Sequence, residues 1–368
     1  FDSKKFNLIP ILDVNKNVIS IAKSSSNSIN IGSKVINKDN PVFIIAEIGN
    51  NHNGDFELAK KLVDESVNAG ADCVKFQMRN MDSLYNNFNN LDHNSEDLGS
   101  QYILDLLEKF QLNNNELLKI FDYSVEKGII PLCTPWDPKS LEILTKYGMR
   151  TIKIASADLT NHDLLIKACK LDLTILCSTG MSTEKEIIET SDLLKKNGAQ
   201  FIFMHCNSTY PAPYKDINLN YLKRLSEISG PLYGYSGHER GINVAIAAVA
   251  LGAKVIEKHI SLDKSMEGND HQVSILPHEF NNMVNAIREV ETSLGMGTIR
   301  TLSQGELINR EILGKSLVIN QDLKKNALIE EHMIEIKSPG RGLPPYYKKN
   351  LIGKNANRSF KSNDTFYL

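Results

Sequence analysis

Two histidines that close short apolar runs, His238 in GYSGHE and His259 in EKHIS, are the first residues whose type and setting point to chemistry. Imidazoles from adjacent strand ends, with carboxylates close by, can hold a divalent transition metal and leave positions open for a carbonyl oxygen and water. Taken singly, each would read as a hydrogen-bonded core histidine; their shared place at a strand end favours the metal. A second set, Lys75 in VKFQ, Lys153 in IKIAS, Thr134, Ser156, Ser208 and Ser236, offers ammonium charges and hydroxyl donors suited to an anion, phosphate above all. A lysine inside a buried strand is costly without an anion. The other partners open to both lysines are Glu47 and Glu257, as structural ion pairs. Glu47, Asp158 and Asp270, the last in MEGNDHQVS, can hold sugar hydroxyls, move protons or stabilise positive charge. Asn51, His52 and Asn53 in GNNHNGD offer polar contacts, or serve only as turn and cap.

Such groups act together only if a fold gathers them. From Val42 onward a short apolar strand alternates with an amphipathic helix. The predicted strands are VFIIAEI (42–48), CVKFQ (73–77), IIPLCT (129–134), TIKIAS (151–156), TILCST (174–179), FIFMHC (201–206), LYGYS (232–236) and KVIEKH (254–259). Helical stretches such as FELAKKLVDESVNAG and NELLKIFDYSVEKG lie between them and stop at glycine. Eight such units in series predict an α/β fold, a (β/α)8 TIM barrel, with an open doubly wound sheet as the alternative. Each strand begins apolar and ends polar, and a parallel barrel brings all carboxyl ends to one face, so these residues should converge on one mouth. Alternation along the last strand points Glu257 and His259 inward and Lys258 toward the helical layer.

The flanks read differently. NLIPILDVNKNVISI predicts two short strands around a turn, resembling the tail of a CBS-type module or a plain hairpin. The chain opens on Phe1 rather than Met, and the expectation is an upstream part. KSSSNSINIGSKVINKDN reads as a polar linker. Past the barrel, GMGTIRTLSQGELINREILGK reads as a linker or extra helix, and the remainder as a small β-rich domain. That remainder carries an internal echo between LVINQDLKKNALIEEHM and ANRSFKSNDTFYL around the turn-rich KSPGRGLPPYY. The expected organisation is 1–30 hairpin and linker, 31–290 barrel, 291–312 linker and 313–368 small domain.

Composition excludes several classes. A net charge of −2 with both signs interspersed gives no nucleic-acid footprint and no polybasic membrane patch. No apolar run approaches a membrane span and no secretory leader is legible. The five cysteines, Cys73, Cys133, Cys169, Cys177 and Cys206, show no CxxC spacing and read as reduced thiols, so a cytoplasmic place is expected.

Together AEIGNNHNGD, VKFQ, CTPWD, KIASAD, STGMS, HCNSTYPAPYKDINL, GYSGHERG, GAKVIEKHI and GNDHQVS resemble the N-acetylneuraminate (sialic acid) synthase family, from about Ile31 to the end of the chain. The resemblance continues into a C-terminal module of the antifreeze-like, SAF (β-clip) type. It implies a barrel whose C-terminal module is swapped onto the partner of a homodimer. It also implies metal-dependent condensation of phosphoenolpyruvate with an acylated amino sugar, N-acetylmannosamine or a 6-deoxy diamino analogue, giving a nonulosonic acid and phosphate. By motif position His238 and His259 take the metal, manganese first, with magnesium or cobalt as alternatives. Lys75, Thr134, Lys153, Ser156 and Ser236 fall where the family grips phosphoenolpyruvate. Glu47, Gln77, Tyr210, Glu257 and Asp270 line the catalytic and sugar regions, with Asp158 at an acidic position beside the substrate.

Three positions depart from that pattern. Ser208 stands where the family often has Asn. SGHE replaces the SDHT common in bacterial members. Ser338 stands where an arginine reaches the sugar's N-acyl group across the dimer, with Arg341 or Lys337 as substitutes. Two rival readings use the same residues: a metal-dependent sugar isomerase or aldolase, which would need no phosphoenolpyruvate, and a non-catalytic carbohydrate binder, which would leave the barrel lysines without purpose.

Overall fold

The computed structural model of the chain describes residues 8–12, 18–23, 28–84, 98–295, 297 and 299–367. It contains two compact units, Phe1–Gly295 and Met296–Leu368.

The first unit opens with β1 (Leu8–Leu12) and β2 (Val18–Lys23), antiparallel neighbours; the turn predicted between them lies outside the described residues. The stretch predicted to be a linker departs from that expectation. Within it β3 (Ile29–Ile31) and β4 (Lys34–Ile36) pair as a hairpin turned at Gly32, whose φ of +56° suits glycine. Ile31 and Ile36 are buried against Phe43, Ile45 and Leu176, which is what holds so polar a segment in place.

All eight predicted barrel strands are present, with ends shifted by no more than two residues. They are β5 (Phe43–Gly49), β6 (Cys73–Met78), β7 (Ile130–Pro135), β8 (Thr151–Ile154), β9 (Thr174–Ser178), β10 (Phe201–His205), β11 (Tyr233–Gly237) and β12 (Val255–His259). They form one sheet in the order 7-6-5-12-11-10-9-8, every pairing parallel. β7 and β8, the two ends of that order, lie side by side, so the sheet nearly closes into a TIM barrel.

The connections carry α1 (Phe56–Asn68), α2 (Met81–Leu84), α3 (Leu98–Lys109), α4 (Asn114–Glu126), α5 (Pro138–Tyr147), α6 (His162–Lys170), α7 (Glu184–Lys196), α8 (Tyr221–Ser229), α9 (Asn243–Ala250) and α10 (Pro277–Leu294). Their starts are written in the sequence: Asp55 caps α1, Asn113 with Glu116 and Thr183 with Glu186 form capping boxes, and Asp137 caps α5 ahead of Pro138. Period-two alternation splits the strand residues between two cores. Ile44, Val74, Phe76, Ile152 and Ile256 pack outward under the helices, whereas Phe43, Ile45, Cys73, Leu132, Leu176, Ile202, Met204 and Val255 fill the barrel interior.

In the second unit, α11 (Gln304–Leu313), capped by Ser303, precedes the antiparallel pair β13 (Ser316–Ile319) and β14 (Ile334–Lys337); α12 (Lys348–Leu351) follows. The two echoing segments lie against each other through the bridges Val318–Thr365 and Leu323–Phe360, with a third, Leu328–Asn355, just ahead of the second echo. The predicted strands of the second echo are thus single bridges. Its apolar residues instead serve the unit's own core, where Phe360 and Phe366 join Leu317, Ile319 and Ile334. Among the described residues no helix is long and apolar enough to cross a membrane. All five cysteines are free, and four of them are buried.

Candidate active site

Moving along each strand, the inward-facing series changes from apolar to polar toward the carboxyl end. Phe43 and Ile45 give way to Glu47, Cys73 to Lys75 and Gln77, Leu132 to Thr134, Leu176 to Ser178, and Val255 to Glu257 and His259. The polar ends line one cavity at the barrel mouth, about 720 Å³ including its opening. Glu47, Glu257, Lys75, Gln77, Thr134, Lys153, Ser156, Ser208, Tyr210, Ser236, His238 and His259, all singled out by sequence, are in its wall.

The charges in that wall are organised. Lys75 Nζ lies 2.9 Å from Glu47 Oε2 and 3.6 Å from Glu257 Oε1, and it donates to Thr134 Oγ1 at 3.1 Å. Lys153 Nζ lies 3.6 Å from Glu257 Oε1 and donates to Ser178 Oγ at 2.5 Å. Ser236 Oγ donates to Glu257 Oε1 at 3.0 Å. The ion pairs weighed as an alternative for the lysines are therefore present, inside the cavity rather than away from it. Burial alone would push the Glu257 carboxyl up, but Lys153 and Lys75 outweigh it and hold the group below the usual carboxylate range. Burial likewise opposes the Lys75 ammonium, and Glu257 with Glu47 raises its pKa above the ordinary amine value. Gln77 is fixed from both ends: its Nε2 donates to Glu47 Oε1 at 2.8 Å, while its Oε1 accepts from Arg79 and, at 3.2 Å, from Trp136 Nε1.

Ser156 and Ser208 approach a position where no side chain fits. A Cβ on Gly180 would come within 2.2 Å of Ser208 Oγ and 2.8 Å of Ser156 Oγ. The Ser208 hydroxyl is buried without a hydrogen-bond partner. A buried unsatisfied hydroxyl facing a cavity is ready for a ligand oxygen.

On the other side the rings of His238 and His259 stand 5.5 Å apart between centroids. Burial, then the neighbouring His259, lowers the His238 pKa to about 3, so its ring is neutral. His238 Nδ1 lies 2.7 Å from the Asn207 carbonyl and must donate to it, which leaves Nε2 as acceptor for the Tyr210 hydroxyl at 3.0 Å. His259 Nδ1 is buried with no hydrogen-bond partner, the nearest carboxylate oxygen being Asp270 Oδ2 at 3.7 Å. A neutral ring pinned through Nδ1–H and a second ring with an orphan nitrogen suit a divalent cation. Among the described residues no group of three His, Cys, Asp or Glu side chains stands at metal-ligand spacing. The protein's share would be two imidazoles, and the chemistry of the donor set fits on that basis.

Three predicted residues lie elsewhere. Asp158 is not in the cavity wall. On β8 Lys153 faces inward and Ile152 and Ile154 outward, so period two already assigns position 158 to the outward set. β8 stops at Ile154, and the 3-10 turn over Ser156–Asp158 does not return Asp158 to the wall. Its Oδ1 accepts from Asn161 Nδ2 at 2.9 Å, and burial raises its pKa. Asp270 lines an adjoining compartment of about 700 Å³ with Asn50, Asn53, Arg79, Phe110 and Asn269, which shares Gln77, Trp136 and Tyr210 with the first. Arg341 belongs to the second unit, its Nε 2.8 Å from Glu311 Oε1; there Ser338 Oγ accepts from Lys315 Nζ at 2.7 Å. The wall also holds Trp136 and Met181, which the sequence pattern does not single out, and Ser178, expected at the mouth only as a polar strand end. Trp136, the single tryptophan of the chain, stands two residues past the polar Thr134 at the end of β7, which is the available signal.

Comparison with known proteins fits this geometry. The model of the NeuB family matches residues 62–299. The chain is 36% identical over 326 residues to the N,N'-diacetyllegionaminic acid synthase of Campylobacter jejuni, covering 87% of this chain and 97% of that protein. It is 32% identical over 328 residues to the N-acetylneuraminate-9-phosphate synthase of Homo sapiens, covering 88% and 91%. Among solved structures, the N-acetylneuraminic acid (sialic acid) synthetase of Leptospira borgpetersenii, in complex with citrate, superposes with a TM-score of 0.69 at 33% identity. That match covers 77% of this chain and 96% of the other.

Proposed function

This chain belongs to the NeuB family, and from that membership and the cavity at the barrel mouth we propose that it is a nonulosonic acid synthase condensing phosphoenolpyruvate with an N-acylated amino sugar and water. The acceptor is N-acetylmannosamine or a 6-deoxy diamino analogue. The observation that carries the reading is the placing of two lysines and a row of hydroxyls in the same wall as two histidines, one of them, His238, held neutral by burial. One side suits a phosphate and the other a carbonyl oxygen.

Lys75 and Lys153, with Thr134, Ser156, Ser178, Ser208 and Ser236, hold the phosphate and carboxylate of phosphoenolpyruvate. Their positions turn a bimolecular encounter into an oriented one, an effect of roughly 7 to 11 kcal/mol in favourable cases. A bond forms between the terminal enol carbon and the aldehyde carbon of the open-chain sugar, leaving positive charge on the carbon that bears the phosphate. Glu257, kept ionised between the lysines, faces that charge, and Glu47, held by Gln77 and Lys75, directs water to it. Asp158, expected from sequence to share this task, is replaced in it by Glu257. Water adds, and the phosphate leaves with the bridging oxygen.

His238 and His259 would hold a divalent cation, manganese first, which when bound polarises the sugar's aldehyde oxygen. Charge balance supports it. The wall's two lysines are matched by two glutamates, so an incoming carboxylate and phosphate need further positive charge. Asp270 and the amides of the adjoining compartment stand where sugar hydroxyls and the acyl group can bond. The test is phosphate release from phosphoenolpyruvate with a panel of acylated mannosamines and 6-deoxy diamino sugars, with Mn²⁺ or with chelator. One acceptor should yield phosphate and a product of acceptor-plus-pyruvate mass. Absence of phosphate with every acceptor overturns the reading.

A further inference from the structure

Lys258, the outward residue of β12, takes no part in the chemistry above, yet it is fully buried in the layer between barrel and helices. Its Nζ lies 2.8 Å from Oε1 of Glu239, which is equally buried, and it also donates to the Glu239 backbone carbonyl. The Tyr235 hydroxyl donates to Glu239 Oε2 at 2.6 Å. One carboxylate is therefore gripped by a donor from β11 and a donor from β12. A buried ion pair is a poor stabiliser beside apolar filler of the same volume, so its presence here asks for another reason. Chain position supplies one: Glu239 follows His238, and Lys258 precedes His259.

We propose that the Glu239–Lys258 pair is a positioning device that sets the separation of His238 and His259. The inference rests on reading those histidines as the cation site. Gly237 belongs to the same device. A Cβ there would lie 2.8 and 2.9 Å from the two carboxylate oxygens of Glu239, so only glycine lets Glu239 fold back over the strand end to Lys258. Gly-His-Glu is thus one unit, with the glycine present on account of the glutamate. A carboxylate reaching out from position 237 would take the place that the Glu239 carboxylate now fills. Gly237→Asp alone puts two carboxylates in one place, while Gly237→Asp with Glu239→Thr restores a single one against Lys258.

The full chain, ¹⁵N-labelled at histidine, is titrated with Mn²⁺ alone while free ion is followed by electron paramagnetic resonance. The Nδ1–H resonance of His238, hydrogen-bonded to Asn207, reports ring position without metal. Glu239→Thr should weaken Mn²⁺ binding about 10- to 100-fold, the usual scale for groups behind a metal ligand, and broaden that resonance. Gly237→Asp alone should do the same, and the double variant should recover both readouts. Wild-type Mn²⁺ affinity with an unchanged resonance in folded Glu239→Thr overturns the proposal, as does a double variant that regains thermal stability but neither readout. If Glu239→Thr does not fold, Glu239→Gln with Lys258→Met removes both charges at nearly constant volume and should show the same losses. Should the wild type bind no Mn²⁺, the cation reading falls, and the His238 resonance across the same variants decides the positioning role by itself.

Discussion

The floor and the mouth of this barrel are built from the same strands, a few residues apart, and they obey opposite rules. At the floor the inward residues are Phe43, Ile45, Cys73, Leu132, Leu176, Ile202 and Val255, covered from below by Ile31 and Ile36 of the β3–β4 hairpin. At the mouth the next inward positions are Glu47, Lys75, Glu257 and Lys153, buried almost as completely and held by one another. Floor residues are constrained by volume and mouth residues by charge and partner. The backbone does not distinguish the two regions, so one parallel ladder can supply a rigid base and a polar site at once.

Removing a mouth charge should produce the largest effect. Lys75→Met keeps the volume and leaves Glu47 and Glu257 short of a partner. Capture of phosphoenolpyruvate, read as kcat/KM from phosphate release, should fall about 1000-fold, equal to about 4 kcal/mol. Unfolding free energy should drop by roughly 3 to 5 kcal/mol as well, because a buried pair has lost one member. An unchanged dependence on phosphoenolpyruvate would make the lysine a purely structural partner of the glutamates.

The floor should answer differently. Ile202→Ala removes volume from the inner core and should cost about 2 to 5 kcal/mol in urea unfolding. KM for phosphoenolpyruvate should stay within about threefold, as expected when no contact with the bound substrate is lost. A large KM change with intact folding would show that floor packing is transmitted to the mouth, and the two regions would no longer be separable.

Much of this contrast was legible in the sequence because it is local. Period-two apolar runs of five to seven residues announce strands, and a lysine inside one, as in VKFQ or IKIAS, stands out against its neighbours. What escaped was either short or non-local. The β3–β4 strands have three residues each, too few for a periodic signal, and their burial depends on a barrel assembled later in the chain. Asp158 shares parity with the outward Ile152 and Ile154, whereas Ser156, of the same parity, reaches the wall only because the 3-10 turn after β8 ends the strict alternation. The Glu239–Lys258 pair links residues 19 positions apart, and only the parallel register of β11 and β12 brings them together.

Acidification should separate the two regions by the smallest of the three effects. In the folded chain the His238 pKa is lowered to about 3, whereas in the unfolded chain it returns toward 6.5. Above about 6.5 the ring is neutral in both states and adds no pH dependence. Below that value the unfolded state binds a proton that the folded state refuses, so stability is lost as pH falls from 6.5 toward 3. At pH 5 the loss from this ring is about 2 kcal/mol relative to pH 7. The floor has no counterpart. Its Cys73 thiol is pushed up by burial and stays protonated in both states across this range. Urea unfolding in chelator at pH 7 and pH 5 should therefore show His238→Gln losing about 2 kcal/mol less than wild type, while Ile202→Ala loses as much as wild type. Equal losses in wild type and His238→Gln would mean that the ring accepts its proton while folded. It would then be a charged mouth residue rather than the neutral ligand on which a cation site depends.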